Sequence, residues 1–169
     1  SVLYTKGETL FGIDRAFRLR DAENFIIVEG APDALRLQSI GLENTVASLG
    51  TSWNENQLNL LKRYKSSLCF IPDSDVAPEG QYGPGFKAVM ECGTLAIRKG
   101  FHATVKELPF GTRELTEEEL QEKYEGAIPK DAQREVLVKN DADSYILSEE
   151  IYRNLRDCLL YTSPSPRDA

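Results

Sequence analysis

Phe25-Ile26-Ile27-Val28-Glu29-Gly30-Ala31-Pro32-Asp33 is the stretch that decides the fold. A short apolar run that stops at a turn reads as a buried parallel strand, and in open α/β sheets ligands gather beyond the carboxyl ends of such strands. Pro32 suits the first turn of a following helix, predicted to run to about Ile40 with Gly41 as its terminator. Glu29 is thereby placed at a strand end, where acidic groups suggest a metal site.

The pattern repeats downstream, where Leu68-Cys69-Phe70-Ile71 leads into Asp73-Ser74-Asp75. Residues two apart in extended chain point the same way, so Asp73 and Asp75 are expected to present their carboxylates side by side. Carboxylates held that close repel unless one keeps its proton or a hard cation joins them, which favours Mg2+ or Mn2+ over zinc. Between the two runs, Asn44 to Ser48 reads as a strand and Asn54 to Tyr64 as a helix with Leu58, Leu61 and Tyr64 inward. A glycine and proline loop from Pro78 to Gly85 precedes a helix from about Phe86 to Lys99 and a strand from His102 to Leu108. Such alternation predicts an α/β fold with right-handed crossovers and a mainly parallel sheet with helices on both faces. Ahead of it, Phe11, Ile13, Ala16 and Phe17 are spaced like one helical face.

The 169 residues suffice for one full core with a small accessory element. Cys69, Cys92 and Cys158 are scattered without paired ligand spacing and His102 is the one histidine, so a zinc site is not expected. No apolar run approaches the roughly 18 residues that would cross a bilayer, and no basic-then-apolar leader opens the chain, so a soluble cytoplasmic protein is expected. The net charge of -7 argues against a nucleic-acid partner, yet its distribution weakens the objection. Residues 1–109 carry 12 Lys and Arg against 13 Asp and Glu, whereas residues 110–169 carry 8 against 14. If the acids of the first part surround cations, Arg15, Arg18, Arg20, Lys62, Arg63 and Lys65 are left as candidates for phosphate contact, or as a solvated mixed surface.

The series Val28-Glu29-Gly30-Ala31-Pro32-Asp33-Ala34-Leu35, Val46-Ala47-Ser48-Leu49-Gly50-Thr51, Asp73-Ser74-Asp75 and Asp141-Ala142-Asp143 resembles the Toprim domain of DnaG-type DNA primases. The Glu-Gly plus Asp-x-Asp pair is shared with Toprim topoisomerases, recombination mediators and nucleases, whereas the Ala-Ser-Leu-Gly-Thr stretch and Leu10-Phe11-Gly12-Ile13-Asp14 favour a primase. The resemblance covers roughly residues 6–109 and 139–147. It implies a Rossmann-like Toprim fold over 21–109, preceded in 1–20 by the end of a primase N-terminal subdomain. Residues 139–157 would hold the last acidic motif and a helix from about Ser144. Residues 110–138 are an insertion relative to the compact pattern. Within it, Thr116 and Glu119 have capping-box spacing and Leu115, Leu120 and Tyr124 form a weak apolar stripe, predicting a short acidic surface helix, either a solvated decoration or a docking surface. Residues 158–169 read as a Ser and Pro linker and resemble translated sequencing-adapter read-through, so Cys158 onward is set aside from fold reasoning.

The resemblance further implies metal-dependent synthesis of RNA primers on a single-stranded DNA template from nucleoside triphosphates, with two or more Mg2+ or Mn2+ ions. Asp73 and Asp75 would be metal ligands and Glu29 a further ligand or the acid/base group. Asp33, grouped with the metal-site residues, would stand behind the ligands or touch the metal through water, and Asp141 and Asp143 would complete the pocket, although Asn140 and Ala142 depart from the usual Lys-Asp-Pro-Asp form. Lys62, Arg63 and Lys87 are candidate nucleotide or nucleic-acid contacts. A replicative helicase would be engaged through parts absent from this sequence, at a bacterial replication fork or from a phage or mobile element. Taken singly, these motifs have plainer readings: Glu before Gly as turn chemistry, Asp-Ser-Asp or Asp141 and Asp143 as helix caps. Two other functions use the same residues: a phosphodiester-cleaving Toprim nuclease or topoisomerase, whose nucleophilic tyrosine domain is missing here, and a non-catalytic module on single-stranded DNA. His102 is expected to be structural, and Trp53 to pack at a helix start.

Overall fold

A computed structural model of the chain describes residues 9–19, 23–49, 53–78, 81–108, 110–139 and 141–142. Its centre is a parallel sheet of β1 (Phe25–Val28), β2 (Thr45–Ala47), β3 (Ser67–Phe70) and β4 (His102–Val105), in the order β2-β1-β3-β4. The crossovers are α2 (Ala31–Ser39), α3 (Glu55–Lys62) and α4 (Pro84–Arg98), and a single turn, α1 (Ile13–Ala16), precedes the sheet. Phe25, Ile27, Val46, Leu68 and Phe70 join one core with Leu58 and Leu61 of α3 and Val89, Cys92 and Ala96 of α4. Ile26, Val28, Ala47, Cys69 and Ile71 join the opposite core with Ala34 and Leu37 of α2. The two-residue alternation of a strand thus sends each unbroken apolar run into two cores, as a sheet covered on both faces requires.

The travel from strand to strand reverses after β2. Crossovers of one hand therefore put α2 on one face and α3 and α4 on the other. Between β1 and β3 the outgoing chains diverge, which opens a crevice at the carboxyl ends of these two strands. Glu29 and Asp73-Ser74-Asp75 leave the sheet there.

Three local expectations are corrected. Phe11 is not on a helix: it forms an antiparallel bridge with Ala47, the Phe11 N–H donating to the Ala47 carbonyl at 2.9 Å and the Ala47 N–H to that of Phe11 at 3.1 Å. Tyr64 lies beyond α3 and is exposed, stacked on the exposed ring of Phe17 at 5.3 Å, because burial stops with Leu61. The region 110–138 is more than an acidic helix. It contains an antiparallel pair, β5 (Gly111–Glu114) and β6 (Glu135–Val138), flanking α5 (Glu117–Lys123). The predicted capping box is present: Thr116 Oγ1 accepts from the Glu119 N–H at 3.2 Å and Glu119 Oε2 from the Thr116 N–H at 2.8 Å. Leu120 alone of α5 is fully buried.

Candidate active site

The Glu29 and Asp73 backbones are brought together by ladder geometry. Ile27 pairs with Phe70, and the Ile71 N–H donates to the Ile27 carbonyl at 2.8 Å, so β1 and β3 end side by side. Asp73 and Asp75 keep only 10% and 16% of their side-chain surface exposed. Their spacing does place both on one side, while the Ser74 hydroxyl turns away and donates to the Leu108 carbonyl.

α4 begins against these carboxylates. The Gly85 N–H in its first turn donates to Asp75 Oδ2 at 2.8 Å, and the positive end of a 15-residue helix supports that acceptor. Gly85 is required by close approach: a Cβ there would lie 2.5 Å from Glu29 Oε1, 3.1 Å from Asp75 Oδ2 and 3.3 Å from the Asp73 carbonyl. Glu29 and Asp75 therefore bracket a single point that only a residue without a side chain leaves open.

Burial is the first cause that pushes the Asp73 carboxyl above its ordinary range, with Asp141 and Asp75 adding repulsion and Lys139 opposing it. Glu29 is raised in the same way, by burial and then by the Asp73 charge. What answers this charge is Lys139, which sequence reasoning passed over. Its ammonium lies 2.5 Å from Asp73 Oδ2 and 3.8 Å from Asp75 Oδ1, and these contacts raise its own pKa. Lys139 directly follows β6, so the segment of β5, α5 and β6 delivers this cation to the crevice. The only signal in the sequence was a lysine two residues before Asp141.

The other candidates separate. Asp33 is buried and its Oδ2 accepts from the Gly30 N–H at 3.2 Å, holding the turn from β1 into α2. Asp141 is close enough to raise Asp73, next to the buried Ala142, and Asp143 lies outside the described residues. Lys87 is exposed on the first turn of α4. Lys62 is not brought to the acids. It donates to the Gly100 carbonyl and covers the Phe101 ring at 4.6 Å, at the amino end of β4, and Arg63 caps the same end of α3. Lys65 is likewise spent on the Leu19 carbonyl at 2.8 Å. Trp53 packs against the core and lines a small cavity beneath Glu29. His102 is exposed at the start of β4. Leu49, just after β2, has φ 58, a left-handed conformation seldom taken by leucine and unforeseen from its sequence.

Among the described residues no three acidic, histidine or cysteine side chains converge into a ready-made metal cluster. The donor chemistry nevertheless fits a hard divalent ion. Asp73, Asp75 and Glu29 supply only oxygen, and a cationic group already stands between the two aspartates.

Residues 26–113 match the Toprim-like family. The chain is 38% identical over 112 residues to a DNA primase of Aquifex aeolicus, an alignment covering 66% of this chain and 21% of that protein. The crystal structure of the Aquifex aeolicus primase zinc-binding and RNA polymerase domains is similar at 32% identity and a TM-score of 0.57, over 75% of this chain and 29% of that one. A DnaG primase catalytic domain bound to ssDNA is similar at 25% identity and a TM-score of 0.53, over 64% of this chain and 34% of that one. The chain spans 15–24% of the length of curated primases that it matches. It belongs to the Toprim-like family, and its Toprim domain is of the kind found in DnaG-type DNA primases.

Proposed function

We propose that this domain is the metal-dependent catalytic part of a primase, joining ribonucleotides into short primers on single-stranded DNA. One observation carries the reading: Asp73 and Asp75, mostly buried side by side at the crevice between β1 and β3, are already bridged by a cation. Asp73, Asp75 and Glu29 would hold Mg2+ or Mn2+, with Asp141 adding negative charge beside them and Asp143 a further candidate. When bound, such ions activate an attacking hydroxyl and neutralise phosphate charge. The chain's own part is to fix the carboxylates. Gly85 anchors Asp75 by its N–H, and burial beside β1 and β3 holds Asp73. Lys139 balances their charge before the ions enter and is then freed toward a phosphate. Lys87 is a second candidate for that contact.

The similarity to a DnaG domain bound to ssDNA supports a single-stranded template as partner. Nucleoside triphosphates as substrates, a replicative helicase contacted through other segments, and a cytoplasmic place at the replication fork complete the proposal. No helix among the described residues is long and apolar enough to cross a membrane.

The test is Mn2+ titration of the chain followed by electron paramagnetic resonance, with Asp73→Asn and Asp75→Asn beside it, then ribonucleotide incorporation on a single-stranded template. Saturable binding lost in both variants, and incorporation lost with it, is expected. Metal-independent incorporation, or no Mn2+ binding by the unmutated chain, would overturn the assignment.

A further inference from the structure

Beside the acidic crevice lies a second feature that the carboxylates do not explain. Pro72, Ala77, Pro78, Tyr82, Phe86, Leu108 and Phe110 surround an open pocket of about 360 Å³ whose wall also includes Asp73, Ser74 and Asp75. That volume is within the range of small-molecule sites, roughly 300–1,000 Å³. Tyr82 is 63% exposed yet held in order, its ring stacked on Phe86 at 4.5 Å with 20° between the planes. Phe110 is 46% exposed on the same pocket. The loop that carries Tyr82 is pinned to the site, because the next residue, Gly83, packs so closely that a Cβ would lie 2.5 Å from Asp75 Cβ. A flat aromatic face is thus set at a fixed position relative to Asp75.

We propose that this pocket takes the nucleobase of a ribonucleoside triphosphate, stacked on Tyr82, with the phosphates directed at Asp73 and Asp75 and the cation they hold. The inference rests on the metal-dependent reading above. Base faces stack on exposed aromatic rings whatever the base, which suits a site that must accept four nucleotides. Gln81 and Glu107 also line the pocket and carry groups that can hydrogen-bond a base edge. The lining also selects between occupants. Among the described residues that line it are Asp73, Asp75 and Glu107 and no Lys or Arg, Lys139 reaching Asp73 from outside this lining, so a strand of phosphodiesters would find little of the basic surface that strand-tracking grooves offer. A nucleotide arrives with its phosphate charge answered by divalent metal.

The test compares Tyr82→Ala and Tyr82→Phe in the full chain by calorimetry, using Mn2+ alone, then ATP, inorganic tripolyphosphate and a thymidine oligonucleotide in the presence of Mn2+. Loss of a base–aromatic stack predicts about tenfold weaker ATP binding in Tyr82→Ala, with Tyr82→Phe retaining it. Affinities for Mn2+ and tripolyphosphate should stay unchanged in both. Unchanged ATP binding with Mn2+ binding intact would overturn the base pocket and leave the metal site standing. Equal weakening of ATP and tripolyphosphate would reduce Tyr82 to a structural role, and weakening of the oligonucleotide alone would make the occupant a template base, either of which overturns the proposal. Failure of the unmutated chain to bind Mn2+ would remove the reading on which it rests.

Discussion

Lys139 Nζ lies 2.5 Å from Asp73 Oδ2, and this contact ties the residue that follows the β5–β6 pair to the acidic crevice of the parallel sheet. The ammonium is 54% exposed whereas the carboxylate is nearly buried, so the lysine gives up little by leaving, while the carboxylate depends on a partner to stay charged. A divalent ion at Asp73 must displace it. Lys139→Gln should therefore lower metal-free stability by about 1 kcal/mol or less, the lysine being largely solvated. The same change should enlarge the stabilisation that Mn2+ gives. Urea unfolding with and without Mn2+ reads both, and a variant indistinguishable from the parent in each would show the contact to be inconsequential.

Asp73→Asn should separate stability from function. The Asp73 carboxyl is raised chiefly by burial, so its contribution to stability is full below the ordinary carboxylate pKa and is lost as pH rises through the raised value. Neutralising it should leave metal-free stability at pH 7 unchanged or higher and flatten its fall with rising pH. The response to Mn2+ should vanish, a loss of about 2.7 kcal/mol at one hundred times the parent's dissociation constant. Glu29→Gln should behave alike in sign, since burial and Asp73 raise Glu29 too. A metal-free variant less stable than the parent would mean that the Lys139 pairing outweighs the burial cost.

Two glycines of α4 make a controlled pair. Nothing lies within 4 Å of a Cβ placed at Gly93, so Gly93→Ala should stabilise the chain by about 0.5–1 kcal/mol, the usual gain within a helix. At Gly85 the same methyl would lie 2.5 Å from Glu29 Oε1 and 3.1 Å from Asp75 Oδ2. Gly85→Ala should fold with the same helix content but bind Mn2+ at least tenfold more weakly. Circular dichroism together with a Mn2+ titration checks this, and equal affinity in the two variants would deny Gly85 its place between the carboxylates.

The sheet was readable in advance because a strand buried on both faces has little choice of composition: Phe25 to Val28 and Leu68 to Ile71 could not be solvated. The acids followed from the same logic, being the residues at which those runs end. Lys139 was not readable, because a lone lysine has no pattern, and its role depends on where β6 leaves it. β5 and β6 escaped for a related reason. Glu135 to Val138 is a short alternating stretch whose partner, Gly111 to Glu114, carries no apolar signal, so pairing is set by the turn and helix between them. The turn-holding contact of Asp33 was not readable, because a carboxylate that caps its own turn and one that binds metal have the same place in sequence. Where Lys62 and Arg63 lie was not readable, because charge counts do not say at which end of a sheet a helix terminates.

The segment of β5, α5 and β6 should also answer to acid in a defined window. Arg113 forks onto Glu119 with contacts of 2.6 and 2.8 Å, and the Thr116 N–H adds a third donor to the same carboxylate. These bonds hold the Glu119 carboxyl down at about 2, the Arg113 hydrogen bond being the largest cause. A depressed carboxyl contributes stability above its unfolded pKa and loses it as pH falls toward the folded one, so the contribution should fade between the ordinary glutamate range and about pH 2. Because the pair is exposed, salt should shrink it, and the effect should stay local. Hydrogen exchange at the amides of α5 is the measurement. In the parent, protection should fall as pH is lowered through that window, after correction for intrinsic exchange rates. In Glu119→Gln it should be weaker at neutral pH and insensitive to the same change. Since β6 and Lys139 follow α5, the variant should also bring the Mn2+ response closer to that of Lys139→Gln. A Mn2+ response identical to the parent's, with α5 demonstrably loosened, would show that β5–β6 pairing holds Lys139 in place without the helix.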